Sequence, residues 1–172
     1  MILATGSVKP RPPGFTLIEL ILVMSLLVIV TSIAVPAMAR FVRGRALDSE
    51  TRRVLAVLHL AQSRAVSEGS PVYFWLDEKS RAYGVTAETR GQSGDPRAEK
   101  LTVDATLGLT GTQTGVSSPV QFNNLPAVKF LPDGTIDEGS LAAVILADTD
   151  GFQRQLVENK TRNGYEVGGN SK

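Results

Sequence analysis

The sequence predicts an α+β fold, a long N-terminal helix packed on an antiparallel β-sheet domain, and three observations carry that reading. From Leu20 to Ala39 the chain holds twenty residues without a charge, enough for about 30 Å of helix, the thickness of a bilayer's hydrocarbon core. Leu47, Val54, Leu58, Ala61 and Ala65 then recur at helical spacing along one stripe. After Pro71 the pattern changes to short alternating runs separated by Gly, Pro, Asn and Asp.

Each element follows in order. Arg45, Asp48, Arg52, Arg53, Arg64 and Glu68 lie mostly off the apolar stripe, so one helix is expected from about Phe15 to Glu68, half membrane-embedded and half amphipathic. Gly69-Ser70-Pro71 stops it. Gly44 and Pro36 are its weak points. Proline lacks the amide donor, so a kink or local melting is expected near Pro36.

Residues 71–77 and 81–87 read as a hairpin across Asp77-Glu78-Lys79-Ser80. Val72, Phe74 and Leu76 share one face and Tyr73 and Trp75 the other, which predicts cover on both sides. Residues 88–99 and 108–119 read as loops, with a short strand at 101–104 between them. Strands follow at 127–131, 141–147 and 152–158, the last two pairing across Asp148-Thr149-Asp150-Gly151, and a short one at 165–167. The helix stripe is expected to pack on one face of the sheet.

Composition narrows the function. The formal net charge of +1 predicts no strong field for nucleic acid. No cysteine is present, which excludes disulfides, thiol nucleophiles and thiolate metal sites. His59 is the sole histidine. Ser63 lies one turn away, but no third group or oxyanion loop is recognisable, so no enzymatic activity and no cofactor are expected. Asp148, Asp150, Gly151 and Glu158 fail as a calcium loop, because the positions requiring acids hold Leu146 and Val157. Asp133, Asp137 and Glu138 read as turn residues, and no metal site is expected.

Three readings of the N-terminus compete. One is a removable secretory signal, with Lys9 and Arg11 as its basic region and Ala37-Met38-Ala39 as a small-residue cleavage site. The second is a plain membrane anchor. The third starts from Gly14-Phe15-Thr16-Leu17-Ile18-Glu19 at the head of the apolar run. A carboxylate so near a membrane-length segment is costly and asks for a reason. A secretory apolar region is also shorter and carries no acid. The arrangement resembles the prepilin signature of type IV pilins and type II secretion pseudopilins, and the third reading is favoured.

That resemblance implies cleavage between Gly14 and Phe15 by a prepilin peptidase that also methylates Phe15. It implies a leader at 1–14, a transmembrane segment at 15–39, an amphipathic periplasmic half at 40–69 and a β domain at 70–172. Removing Lys9 and Arg11 with the leader changes the formal charge from +1 to +1 − 2 = −1. The family also has a proline equivalent to Pro36. Glu19 would meet the N-terminal amine of Phe15 on a neighbouring subunit. The chain would be single-pass in a bacterial inner membrane, with its C-terminal domain in the periplasm. Arg40, Arg43 and Arg45 beyond the run outnumber Lys9 and Arg11 before it, so the positive-inside rule does not set this orientation and the leader motif does.

Residues 128–135, Val-Lys-Phe-Leu-Pro-Asp-Gly-Thr, resemble the F-x-P-D-G turn of H-type pseudopilins and FimT-like minor pilins. The aromatic-proline pattern of the major subunits' calcium loop is missing, which favours a minor subunit. The resemblance implies a subunit of the periplasmic pseudopilus that drives export of folded proteins. Its partners would be other pseudopilins, the inner-membrane assembly platform and lipid, with loops 88–99 and 108–119 as partner-specific surfaces. The basic stretch Arg40, Arg43, Arg45, Arg52 and Arg53 would meet headgroups, acidic neighbours or solvent. The alternative is a FimT-like minor pilin of a type IV pilus, acting in pilus assembly or DNA uptake. DNA binding is disfavoured, because residues 160–166 carry only Lys160 and Arg162 against Glu166.

Overall fold

A computed structural model describes residues 14–88, 94–113, 115 and 118–168. It divides into two units between Phe41 and Val42. Helix α1 (Leu17–Glu68) contributes to both.

In the first unit Thr16 caps the helix. Its hydroxyl accepts from Glu19 N at 3.3 Å and its carbonyl from Leu20 N at 3.1 Å. The hydroxyls inside the apolar run satisfy themselves locally: Ser25 donates to Ile21 O at 2.8 Å, Thr31 to Leu27 O at 2.8 Å and Ser32 to Ile29 O at 2.7 Å. No polar side chain there needs water, which suits a lipid environment. Helical conformation runs through Pro36 without a break. Proline removes one donor, and the turns on either side remain bonded.

In the second unit α1 buries the predicted stripe. Leu47, Val54, Leu58, Ala61 and Ala65 are all at most 1% exposed. Thr51 completes the row, its hydroxyl bonded to Leu47 O at 2.7 Å. Gly69, with φ of +62°, turns the chain out of the helix in the left-handed conformation that glycine tolerates.

Nine strands follow: β1 (Val72–Asp77), β2 (Ala82–Ala87), β3 (Glu99–Thr102), β4 (Leu107–Thr112), β5 (Gln121–Phe122), β6 (Leu125–Phe130), β7 (Ala143–Asp148), β8 (Gln153–Glu158) and β9 (Tyr165–Val167). They form two antiparallel sheets, β3-β2-β1-β6-β5 and β4-β7-β8-β9, where a single sheet was expected. One core joins the helix stripe to Phe74, Leu76, Tyr83, Val128 and Phe130 of the first sheet and to Leu109, Val144, Leu146 and Leu156 of the second.

Other expectations need correcting. Residues 108–112 are not loop but most of β4, where Leu107 and Leu109 point inward and Gly108 and Thr110 outward. Pairing with β7 compensates for its two glycines. The strand expected at 101–104 lies at 99–102, because polar Glu99 and Lys100 suit a sheet edge. β5 was not foreseen; Asn123 and Asn124, both with positive φ, form its two-residue hairpin turn to β6. Tyr73 and Trp75 are only half-buried, and cover comes from within their own sheet. Tyr73 packs on Phe122 with ring centres 5.5 Å apart, and Trp75 Nε1 donates to Thr86 Oγ1 at 3.1 Å.

Candidate functional site

The predicted site residues lie at the head of α1. Gly14 precedes the helix, and a side chain there would meet nothing within 4 Å. Phe15 is 79% exposed. Glu19 is in the first turn, where a carboxylate is favoured by the helix dipole. Thr16-Leu17-Ile18-Glu19 also has the spacing of a capping box, but only the Thr16 half is formed. Among the described residues the Glu19 carboxylate has neither a hydrogen bond nor an ion pair.

Behind Glu19 the helix is bare. Its large apolar residues from Leu20 to Met38 are between 44% and 70% exposed, and its most apolar window is unburied. Such a surface needs lipid or another apolar helix to cover it. The site therefore combines a long exposed apolar helix with an acid that lacks a counter-charge among the described residues.

Several charges of the second unit pair within it. Arg43 lies 2.8 Å from Asp150 and Arg154 2.8 Å from Asp48, while Arg53 pairs with Glu50 at 3.4 Å. Two members of the basic stretch, Arg43 and Arg53, thus have intrachain acidic partners, an arrangement its sequence pattern does not reveal. Arg162 pairs with Glu158 at 2.9 Å and Glu138 at 3.2 Å.

The F-x-P-D-G turn has a structural role. Phe130 is buried, Asp133 accepts from Thr135 N at 2.9 Å, and Gly134 has φ of +83°. Gln62 on α1 donates to the carbonyls of Gly134 and Asn163, tying the turn to the helix. His59 and Ser63 line an open cleft beside it, and neither side chain makes a hydrogen bond among the described residues. Asp137 accepts from Gly139 N at 3.1 Å and Glu138 serves Arg162. Among the described residues no three acids or histidines gather as a metal site.

Asp95 is the functional-looking residue that the sequence concealed. Its side chain is 3% exposed and accepts from Ala87 N at 2.8 Å, Arg97 N at 2.9 Å and Arg64 Nη2 at 3.1 Å. Burial opposes its charge, yet these donors together hold its carboxyl below the usual carboxylate range. It fastens the segment after β2 to α1. Loop 88–99 falls partly outside the described residues, at 89–93, as does 108–119 at positions 114, 116 and 117.

The long apolar helix joined to an antiparallel β domain defines a pilin-like subunit. Solved structures share the fold. The minor pseudopilin EpsH from the type 2 secretion system of Vibrio cholerae matches with a TM-score of 0.52 and 11% identity, covering 70% of this chain and 94% of that one. The type IV minor pilin FimU of Pseudomonas aeruginosa matches with a TM-score of 0.53 and 18% identity, covering 75% and 92%. No curated protein sequence matches. Residues 11–35 match the prokaryotic N-terminal methylation motif, and residues 50–161 match the family described as type II transport protein GspH. The chain belongs to the GspH family of type II transport proteins.

Proposed function

We propose that this chain is a minor pseudopilin of type II secretion, cut between Gly14 and Phe15, methylated on Phe15, and recruited into the pseudopilus through α1. A prepilin peptidase with methyltransferase activity performs the first two steps, and the inner-membrane platform the third. The β domain faces the periplasm and Pro36 is the weak point of the membrane segment. In the filament the Glu19 carboxylate pairs with the Phe15 amine of a neighbouring major or minor pseudopilin. The observation that carries this reading is the Glu19 carboxylate, without a partner among the described residues, at the head of a bare apolar helix. An acid that is costly in lipid becomes a register device when its counter-charge sits on the next subunit.

Mass spectrometry of the mature N-terminus tests the processing. N-methylated Phe15 is the expected first residue. A chain starting at Arg40 would mean secretory cleavage after Ala37-Met38-Ala39, and the proposal would fall.

A further inference from the structure

The turn between β7 and β8, residues 148–152, is bound to α1 close to the end of the uncharged run. Arg43 Nη2 lies 2.8 Å from Asp150 Oδ2, and Arg154 Nε donates to Asp48 Oδ1 at 2.8 Å. These pairs hold the hairpin to the helix at two levels. From Ala39 to Arg43 the helix rises about 6 Å, and even a fully extended chain would separate them by no more than about 14 Å. The headgroup layer outside the hydrocarbon is about 5–8 Å deep on each side. By chain length alone, a turn bonded to Arg43 is therefore within reach of that layer when residues 20–39 span the bilayer.

The turn's chemistry suits that position. Gly151, with φ of +85°, and the bonds from Asp148 N to Phe152 O at 2.8 Å and Gly151 N to Asp148 O at 3.0 Å fix its shape. Phe152 is 42% exposed, the one exposed aromatic side chain among the described residues after Val42. Aromatic side chains favour the membrane–water interface. The acids do not oppose an anionic surface: Asp150 and Asp48 are paired with arginines, and Asp148 is buried and accepts from the Thr149 hydroxyl. Arg43 is 38% exposed, so its fork can hold Asp150 and still donate to a phosphate oxygen.

We propose that the β7–β8 turn is a lipid-contacting element, with Phe152 seated in the interfacial layer and Arg43 bridging Asp150 to a phospholipid phosphate. The inference rests on the membrane reading of α1. It means that this turn touches lipid before assembly, and that extraction of the subunit breaks the contact.

The test uses the full chain in vesicles of phosphatidylethanolamine and phosphatidylglycerol carrying brominated acyl chains. Phe152→Trp in a Trp75→Phe background is the reporter, and Ile29→Trp in the same background is the anchoring control. Bromines placed shallow should quench the Phe152→Trp reporter at least about twofold more than deep ones, as an interfacial ring requires. Adding Asp150→Ala should weaken that quenching. Quenching of the Ile29→Trp control alone overturns the lipid contact while leaving the anchor in place. Quenching of neither overturns the membrane reading and this proposal together. Should Trp75→Phe not fold, a fluorophore on Phe152→Cys in this cysteine-free chain gives the same readout.

Discussion

Glu19→Ala is expected to insert into the membrane as well as the wild type, yet to reach the assembled filament at least about tenfold less often. Inserting an acid near the edge of a helix has a cost, so its removal does not hinder insertion. Assembly is different. Truncating one partner of a desolvated charge pair costs about 2–5 kcal/mol, much of it from the charge left alone. Here the amine of Phe15 on the neighbouring subunit would be that charge. Glu19→Gln should fail similarly, since it keeps the shape and loses the charge. Quantitative immunoblots of membranes and sheared filaments separate the two steps. Filaments that hold the Glu19→Ala chain at the wild-type ratio would refute the pairing.

The largest effect on stability is expected from Asp95→Ala, about 1–3 kcal/mol, because it removes one of the two carboxylates that hold Arg64, whose side chain is only 11% exposed and keeps Glu68 at 3.0 Å. It also leaves two backbone N–H groups without their acceptor. The effect depends on pH with a definite sign. The folded state holds the Asp95 carboxyl below its usual range, so its contribution is complete above the unfolded value of about 3.9. It is lost as pH falls through the lower folded value. The gap in urea midpoint between wild type and Asp95→Ala should therefore be widest near neutral pH and narrow below about pH 4. Asp77, Asp104 and Asp133 are shifted the same way by turn hydrogen bonds, so the variant keeps some acid sensitivity of its own. A gap that widens on acidification would contradict this account.

What could be read from the sequence was what repeats or costs something locally. The stripe from Leu47 to Ala65 was legible because helical spacing is a short-range pattern, and Thr51 escaped only because its hydroxyl bonds within the helix. Glu19 was legible because an acid beside a membrane-length run is expensive. β4 was hidden, since its glycines and threonines become a strand only by pairing with β7, more than thirty residues later. Separation hid Asp95 as well: Arg64 lies thirty-one residues before it. The division into two sheets and the pairing of Arg43 with Asp150 likewise belong to tertiary structure, which no local pattern encodes.

The central claim is that the head of one α1 meets the head of its neighbour in the filament. Because the chain lacks cysteine, single cysteines at Thr16 and Leu20 can be introduced one at a time, opposite the corresponding positions of a co-assembled pseudopilin, and oxidised in place. The account predicts disulfide-linked pairs in assembled filaments and their loss when Glu19→Ala is added. Filaments that contain this chain but form no such crosslink, or form it equally without Glu19, would contradict it.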